Sequence, residues 1–296
     1  MTGLLGELGK KLAERWLATV VLPGLLLLGT AVVAVRLGQR HPFDAARLTR
    51  WLDALAGSPT ARNGGTVLLL TAGALLAAGA TGLAAGALGA AAGRWCEARS
   101  GPLVRWRRRR WERADQRARE ALRHAAGDVT RPYPPLADAL RARDAIGLRE
   151  PARPTWVADR FLAVDQRVAE AYALDLSAVW PRLWLIADEP ARAQVSAAQD
   201  GYGAALRLSG WGVLYLALGL LWSPSAVAGA VVLAVARFRI RRAAAVLAEM
   251  VESTVDLHVA TLAQRMGFTV TGRLDAETGR ALTAALRKDL PLRLPG

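Results

Sequence analysis

The chain has 296 residues, of which 53% are hydrophobic and 22% are charged, and its formal net charge is +14. This mixture excludes a disordered chain, which is poor in apolar residues, and it also excludes a protein that lies wholly within lipid. A single cysteine excludes an internal disulfide, and all but three of the 39 basic residues are arginine, which is typical of a GC-rich bacterial genome.

The first predicted element is an apolar helix from Trp16 to Val35, bounded by Arg15 and Arg36. A helix of about 20 residues rises about 30 Å, which matches the hydrocarbon core of a bilayer. The apolar region of a signal peptide has about 7–15 residues. We therefore interpret this longer stretch as a membrane anchor.

The second predicted element runs from Thr66 to Gly93 without a charged residue. It exceeds the roughly 20 apolar residues that cross a bilayer, so the sequence predicts an integral membrane protein. Five glycines at spacings of three and four share one side of this helix, where another helix can approach closely. The predicted helix-packing residues are Gly79, Gly82, Gly86, Gly89 and Gly93, and we expect Gly86→Leu to weaken folding or assembly. The alternative is that alanine and glycine simply fill most positions here.

An arginine-rich helix is predicted directly after this span. Eleven arginines and four acidic residues lie between Arg94 and Arg123. Tryptophan beside arginine is typical of segments that contact anionic headgroups at a membrane surface. The predicted lipid-binding residues are Arg105, Trp106, Arg107, Arg108, Arg109, Arg110 and Trp111. A solvated flank is one alternative, and nucleic-acid binding is a less favoured one because the adjacent span places the segment beside lipid.

Prolines delimit a short helix from about Leu136 to Ile146, and a longer amphipathic helix is predicted beyond Pro154. The inward residues of this second helix are Trp156, Phe161, Val164, Val168 and Tyr172. The run from Pro154 to Trp184 contains a pattern formed by Arg160, Leu162, Arg167, Tyr172, Asp175, Trp180, Pro181, Arg182 and Leu183.

In this pattern the run resembles a segment of uncharacterised multi-pass membrane proteins of actinobacteria. The resemblance implies a membrane-protein class and no activity. The alternative is that Trp180, Pro181 and Trp184 have a purely structural role, as a corner where two helices meet.

The third apolar region, Leu208 to Ala236, forms either one long span or a hairpin broken at residues 222–225. Ser223 suits a helix N-cap and Pro224 the first helical position, which favours two helices. A shallow re-entrant hairpin is the remaining alternative. Arginines follow this region as they follow the second span, and both basic flanks stay cytoplasmic only if the region crosses an even number of times. We therefore predict four spans, although five arginines in the loop from Arg36 to Gly65 oppose this orientation.

The C-terminal part is predicted to be helical. Glu249, Glu252 and Asp256 form an acidic stripe, which we expect either to meet the arginine block of residues 94–123 or to be solvated, and His258 is predicted to be packed. Asp275 is the expected N-cap of a helix from Ala276 to Arg287. The segment 262–287 resembles the second half of a peptidoglycan-binding-like helical module in the following residues: Leu262, Ala263, Gln264, Arg265, Met266, Gly267, Phe268, Gly272, Leu274, Asp275, Thr278, Ala281 and Leu282. That resemblance implies wall binding with the C-terminus outside, which the arginines at 237–242 oppose.

The sequence thus predicts an all-α, multi-pass helical membrane protein with four spans, including a tight hairpin, and a helical cytoplasmic domain. The predicted divisions are 1–93, with spans 16–35 and 66–93; 94–207, the basic cytoplasmic domain; 208–240, the membrane hairpin; and 241–296, the C-terminal helices. The three histidines are far apart, and no nucleophile, phosphate-binding or paired-cysteine motif is present. We therefore predict no enzyme activity, no metal and no cofactor.

The predicted function is that of an anchor or adaptor in the bacterial cell membrane, with both termini in the cytoplasm. Its expected partners are anionic lipid, a further copy of the chain and an unidentified cytoplasmic protein. The alternative is an oligomeric pore or membrane-perturbing effector lined by residues 66–93. A wall-binding membrane protein is the third hypothesis.

Overall fold

The structure, a computed structural model, describes residues 20–57, 63–96, 101–126 and 134–288. Over these ranges the chain forms ten helices and no strand, so the predicted all-α class is confirmed. In chain order the helices are α1 (Leu22–Leu37), α2 (Ala45–Ala56), α3 (Gly64–Cys96), α4 (Pro102–Ala126), α5 (Pro134–Asp144), α6 (Trp156–Tyr172), α7 (Leu176–Ile186), α8 (Glu189–Leu218), α9 (Ser223–Arg265) and α10 (Ala276–Arg287). Residues 16–19 of the first predicted span lie outside the described residues.

The chain divides into two compact units. The first unit comprises Met1–Gly93 and Ala204–Phe238, and the second comprises Arg94–Gly203 and Arg239–Gly296. Helices α8 and α9 therefore contribute residues to both units.

One helix of the first unit, α3, is long and apolar enough to cross a membrane. Its apolar stretch covers the 31 residues Gly64–Arg94, and only 6% of the most apolar part is buried. Large side chains on its surface, such as Leu69 and Leu76, are more than 70% exposed. Helices α1 and α7 are also apolar but shorter.

The helix break predicted at residues 222–225 is confirmed, since α8 ends at Leu218 and α9 begins at Ser223. Gln39, which follows α1, satisfies polar groups of this turn. Its Nε2 donates to the carbonyl oxygens of Gly219 at 2.8 Å and Leu220 at 3.2 Å, and its Oε1 accepts from the backbone N–H of Ser223 at 3.1 Å. The turn therefore has its hydrogen-bond partners within the first unit.

The core of the second unit is formed by one face each of α6, α7, α9 and α10. Val164, Val168 and Tyr172 of α6 are buried there, which confirms the inward face predicted for this helix. Leu183 of α7 and Leu282 of α10 are fully buried in the same cluster. Burial of these side chains removes apolar area from water, which stabilises the fold of the second unit.

The acidic stripe of α9 meets α6, which corrects both expectations from the sequence. Glu252 accepts two hydrogen bonds from Arg167, at 2.6 Å from Nε and 2.5 Å from Nη2. Asp256 accepts a hydrogen bond of 2.8 Å from the Tyr172 hydroxyl, and Glu249 lies 3.8 Å from Arg160. Within this chain the partners of the stripe are thus residues 160–172 rather than the arginine block, although Glu249 and Asp256 are also exposed to solvent.

The C-terminal helix begins where the sequence predicts. The Asp275 carboxylate accepts a hydrogen bond of 2.8 Å from the Thr278 backbone, which caps α10. The chain reaches this cap through Gly267 and Gly272, whose positive φ angles of 87° and 88° favour glycine. Arg287 at the other end of α10 forms an ion pair with Asp175, the N-cap of α7. The segment that resembles a wall-binding module is therefore part of the core of the second unit.

The pair between Arg167 and Glu252 predicts a pH-dependent contribution to stability. The hydrogen bonds from Arg167 lower the pKa of Glu252, so the pair stabilises the fold above the unfolded pKa of about 4.3 and stops doing so as the pH falls through the folded value. We expect Glu252→Gln to lower the free energy of unfolding by about 1–2 kcal/mol at pH 7, and this deficit to vanish on acidification. Thermal unfolding in detergent, followed by tryptophan fluorescence, measures both effects.

The matched control is Glu120→Gln, which removes one carboxylate from an exposed site on α4. We expect little change for this variant at either pH. A Glu252→Gln deficit that persisted at low pH would contradict the assignment of Glu252 as the titrating partner.

Candidate membrane-contact surfaces

Helix α4 carries the predicted lipid-binding residues, and it has one buried and one exposed face. Val104, Arg107, Ala114, Asp115 and Ala118 lie on the buried face. Their spacing of three, seven, one and three residues places them on one side of an α-helix. The remaining arginines between 105 and 117 lie on the exposed side.

Arg107 is buried in the second unit, which corrects its assignment to the lipid-binding set. Its Nη1 lies 2.6 Å from Oδ2 of Asp159 on α6, and the two side chains are only 8% and 12% exposed. The same guanidinium donates to the carbonyl oxygens of Arg153 and Ile146, both at 2.5 Å. A buried arginine with this many partners is not accessible to a lipid headgroup.

Four consecutive carbonyl groups at the end of α5 accept hydrogen bonds from side chains; we name them the carbonyl cluster. Ile146 accepts from Arg107, and Gly147 accepts from the Trp111 indole at 2.8 Å. The other two contacts are from Trp156 Nε1 to the Asp144 oxygen at 3.2 Å and from Arg241 to the Ala145 oxygen at 2.8 Å. The end of a helix carries unsatisfied carbonyls and a partial negative charge, so arginine and indole donors stabilise it. Trp111, a second member of the predicted lipid-binding set, is thus half-buried in a structural contact.

Asp159 links this cluster to the chain that precedes α6. Its Oδ1 accepts from the backbone N–H groups of Ala152 at 3.0 Å and Arg153 at 2.8 Å, while its Oδ2 accepts from Arg107. One carboxylate therefore fixes both the loop and the rotation of α4 about its axis.

The exposed face of α4 presents arginines around two apolar side chains. Trp106 is 56% and Leu103 is 40% exposed. The Arg110 guanidinium lies 5.5 Å from the centre of the Trp106 ring, within the range of a cation–π contact. The exposed members of the predicted set are Arg105, Trp106, Arg108, Arg109 and Arg110, and Arg113 and Arg117 continue the face. Arg108 forms an ion pair of 2.6 Å with Glu150, so it is partly neutralised.

The close approaches between helices of the first unit follow one stripe of small residues on α3. Ala78 faces Gly24 of α1, and Gly82 faces Val20, two residues before α1; a Cβ added to Gly24 or to Gly82 would collide with these neighbours. Ala85 and Gly89 face α8, where they meet Gly210 and Leu206 in the same way. An added Cβ on Gly89 would lie 2.7 Å from the Leu206 carbonyl carbon. In each set of pairs the residue numbers rise along α3 while they fall along the neighbouring segment, so α3 packs antiparallel to both neighbours.

The predicted glycine stripe differs from this contact stripe by one residue at two positions. Gly82 and Gly89 make the close contacts, and Gly93 is in ordinary contact with Leu206 at 3.5 Å. Gly79 is half-buried, and nothing lies within 4 Å of a Cβ added to Gly86. Ala78 and Ala85, both fully buried, make the contacts that were predicted for Gly79 and Gly86, and a pattern of glycines alone does not include them.

Glycines also bring the two arms of the hairpin together. Gly212 of α8 faces Leu233 of α9, and Gly229 of α9 faces Leu216 of α8. A Cβ added to either glycine would lie less than 3 Å from the facing residue, which is too close. Nearer the turn, Gly219 meets Ala226. This backbone contact is typical of helices in lipid, where packing rather than exclusion of water joins the helices.

No family model, curated protein or solved structure matches this chain. In the part of the chain that the structure describes, no group of three or more histidine, cysteine or acidic residues could hold a metal ion. The described features that bear on function are the apolar exposed surface of α3 and the exposed arginines of α4.

Gly89→Leu is expected to destabilise the first unit, because the new side chain collides with the backbone of α8. Overpacking of this kind costs about 1–3 kcal/mol or more. Thermal unfolding in detergent measures the loss. Gly86→Leu, three residues away, is the matched control, and because space is open there it is expected to be nearly neutral. Equal losses for the two variants would contradict the contact stripe and restore the role of Gly86 expected from the sequence.

Arg107→Ala is expected to destabilise the second unit strongly, because it leaves the Asp159 carboxylate buried without its partner. Breaking a buried ion pair in this way costs about 3–5 kcal/mol. Arg109→Ala removes an exposed arginine from the same helix and is expected to change stability by less than about 0.5 kcal/mol. Unfolding in detergent compares the two, and a similar small effect of both would show that Arg107 is a surface residue.

Proposed function

We propose that this chain is a multi-pass integral membrane anchor whose second unit contacts anionic lipid at the cytoplasmic surface through α4. The observation that carries the proposal is α3: a helix of this length and hydropathy with 6% of its most apolar part buried would expose a large leucine surface to water. Lipid is the solvent in which such a surface is stable.

The packing of the first unit supports four crossings, by α1, α3 and the arms of the hairpin. The contacts alternate in direction from α1 to α3, from α3 to α8 and from α8 to α9. Exposed valines of α9, among them Val227 and Val231, continue the apolar exterior. An even number of crossings leaves both basic flanks, 94–123 and 237–242, in the cytoplasm of the bacterial cell.

The exposed face of α4 supports contact with anionic headgroups. Only residues 97–101 separate α3 from α4, so a bilayer crossed by α3 lies within reach of α4. Leu103 and Trp106 supply apolar contact, and Arg105, Arg109, Arg110 and Arg113 supply charge around them. Each such arginine near an anionic surface contributes about 1 kcal/mol of attraction.

The pore hypothesis receives less support. The small-residue stripe of α3 meets α1 at Ala78 and α8 at Gly89, both in the same chain, so it is occupied without a second copy. We further propose that the chain has a non-enzymatic role, that it binds a cytoplasmic protein and that several copies assemble.

The proposal is tested by a fluorescent probe on α4 in lipid nanodiscs. We replace Cys96 by serine, introduce Leu103→Cys, attach an environment-sensitive dye, and compare discs of neutral lipid with discs that contain anionic lipid. We expect a blue shift in the anionic discs that salt weakens, because the attraction of arginines to headgroups is screened. Replacing Arg109, Arg110 and Arg113 by glutamine is expected to abolish the shift.

The matched control replaces three exposed arginines on other helices by glutamine, namely Arg192, Arg265 and Arg280. This variant loses the same charge and is expected to keep the shift. Identical spectra in neutral and anionic discs would overturn the lipid contact of α4, and protein that remains dissolved without detergent or lipid would overturn the membrane anchor.

A further inference from the structure

The first unit contains a strongly amphipathic helix whose apolar side is covered only in part, since Leu48 and Trp51 are half-buried while Leu52 and Leu55 are exposed. Helix α2, between α1 and α3, has no buried residue. Leu48, Trp51, Leu52 and Leu55 share one side of it, at spacings of three, one and three residues. Leu52 and Leu55 are 48% and 49% exposed. The opposite side carries Thr49, Arg50 and Asp53.

The chain before α2 is fixed to the turn of the hairpin. The Trp222 indole donates a hydrogen bond of 2.9 Å to the Pro42 carbonyl, and Gln39 binds the same turn through three hydrogen bonds. Three apolar side chains at this place are largely exposed: Phe43 at 82%, Leu220 at 83% and Leu221 at 51%. Together with Leu52 and Leu55 they form what we name the end surface.

We propose that the end surface is a lipid-binding site that lies in the headgroup region of the leaflet at which α3 begins. This inference rests on the proposed crossing of the bilayer by α3, because α2 precedes the N-terminal end of that helix and α4 follows its C-terminal end. It adds a second, separate lipid contact, of the kind that amphipathic helices make with their apolar side buried at the boundary between headgroups and acyl chains.

Three observations favour lipid as the occupant. Seven residues, 38–44, connect α1 to α2, and seven more, 57–63, connect α2 to α3, so the helix stays near the ends of two apolar helices. Trp51 and Trp222 both belong to this region, and tryptophan is enriched where a membrane meets water. The Arg36 guanidinium lies 4.8 Å from the centre of the Trp51 ring, which places a cation beside the aromatic side chain, as at a headgroup layer.

This assignment also accounts for the arginines that oppose the orientation predicted from the sequence. Arg36, Arg40, Arg47 and Arg50 lie in α2 or near it. Arginines on the polar side and at the rim of an interfacial helix can reach phosphate groups of the same leaflet while their aliphatic stems cover apolar surface. Their presence outside is then a property of the lipid contact rather than a signal of topology.

The test uses spin labels on the full chain in nanodiscs, with Cys96 replaced by serine. Single cysteines are placed at Leu52 and Leu55 on the apolar side of α2, at Asp53 on its polar side, and at Leu70 of α3, which is 66% exposed. Collisions with oxygen, which concentrates in lipid, are compared with collisions with a water-soluble nickel chelate. We expect labels at 52 and 55 to have a several-fold higher ratio of oxygen to nickel collisions than the label at 53.

The label at position 70 separates failure of this inference from failure of the proposed function. If position 70 is lipid-exposed while 52, 53 and 55 all collide with nickel, α3 crosses the bilayer and the end surface does not bind lipid. If labels at 52 and 55 are immobilised and collide with neither reagent, protein covers the end surface, which also overturns the inference. If position 70 collides freely with nickel, the crossing by α3 is wrong and the inference falls with it.

Discussion

The ion pair between Arg107 and Asp159 determines which residues of α4 can reach a partner. A buried guanidinium needs several acceptors, and Arg107 finds them in Asp159 and in two backbone carbonyls. These bonds fix the rotation of α4, since a rotation that turns Arg107 outward leaves the buried Asp159 carboxylate without its arginine. The same rotation turns Trp106, Arg109 and Arg110 outward. The surface proposed to bind lipid is thus a consequence of a contact on the other side of the helix.

The first unit is packed in the way that suits helices in lipid, which gain little from hiding apolar side chains. Its chain segments approach closely at Gly82, Gly89 and Gly210, where closely packed atoms gain dispersion energy. The leucines and valines then face outward, as Leu69 and Val231 do. The second unit has the opposite arrangement, with Leu183 and Leu282 in its core and charged pairs such as Arg167 and Glu252 at the edge of that core.

Much of the helical architecture could be predicted from the sequence, because strong local signals mark it. The uncharged run of α3, the Ser223-Pro224 start of α9 and the Asp275 cap of α10 each specify a helix through nearby residues. Helix α2 has the same kind of signal, since Asp44 accepts a hydrogen bond from the Arg47 backbone and apolar residues recur at helical spacing, but it was predicted only as a loop.

The rest could not be predicted because it depends on residues far apart in the chain. Nothing near Arg107 distinguishes it from Arg109; the difference is Asp159, 52 residues away. The partners of the acidic stripe on α9 lie more than 80 residues earlier, on α6. In α3, alanine and glycine occupy so many positions that the sequence cannot separate the Ala78 and Ala85 contacts from their neighbours.

The hydrogen bonds of the Gln39 side chain have a consequence for the proposed membrane anchor. The turn between α8 and α9 has its exposed carbonyls and an amide N–H bound by Gln39, so fewer of its polar groups require water. A turn satisfied in this way can sink with little penalty when the surrounding bilayer thickens, whereas an unsatisfied one would have to remain hydrated. In the membrane anchor proposed above, the hairpin would therefore tolerate hydrophobic mismatch, and changes in acyl-chain length would perturb it less than its short arms suggest.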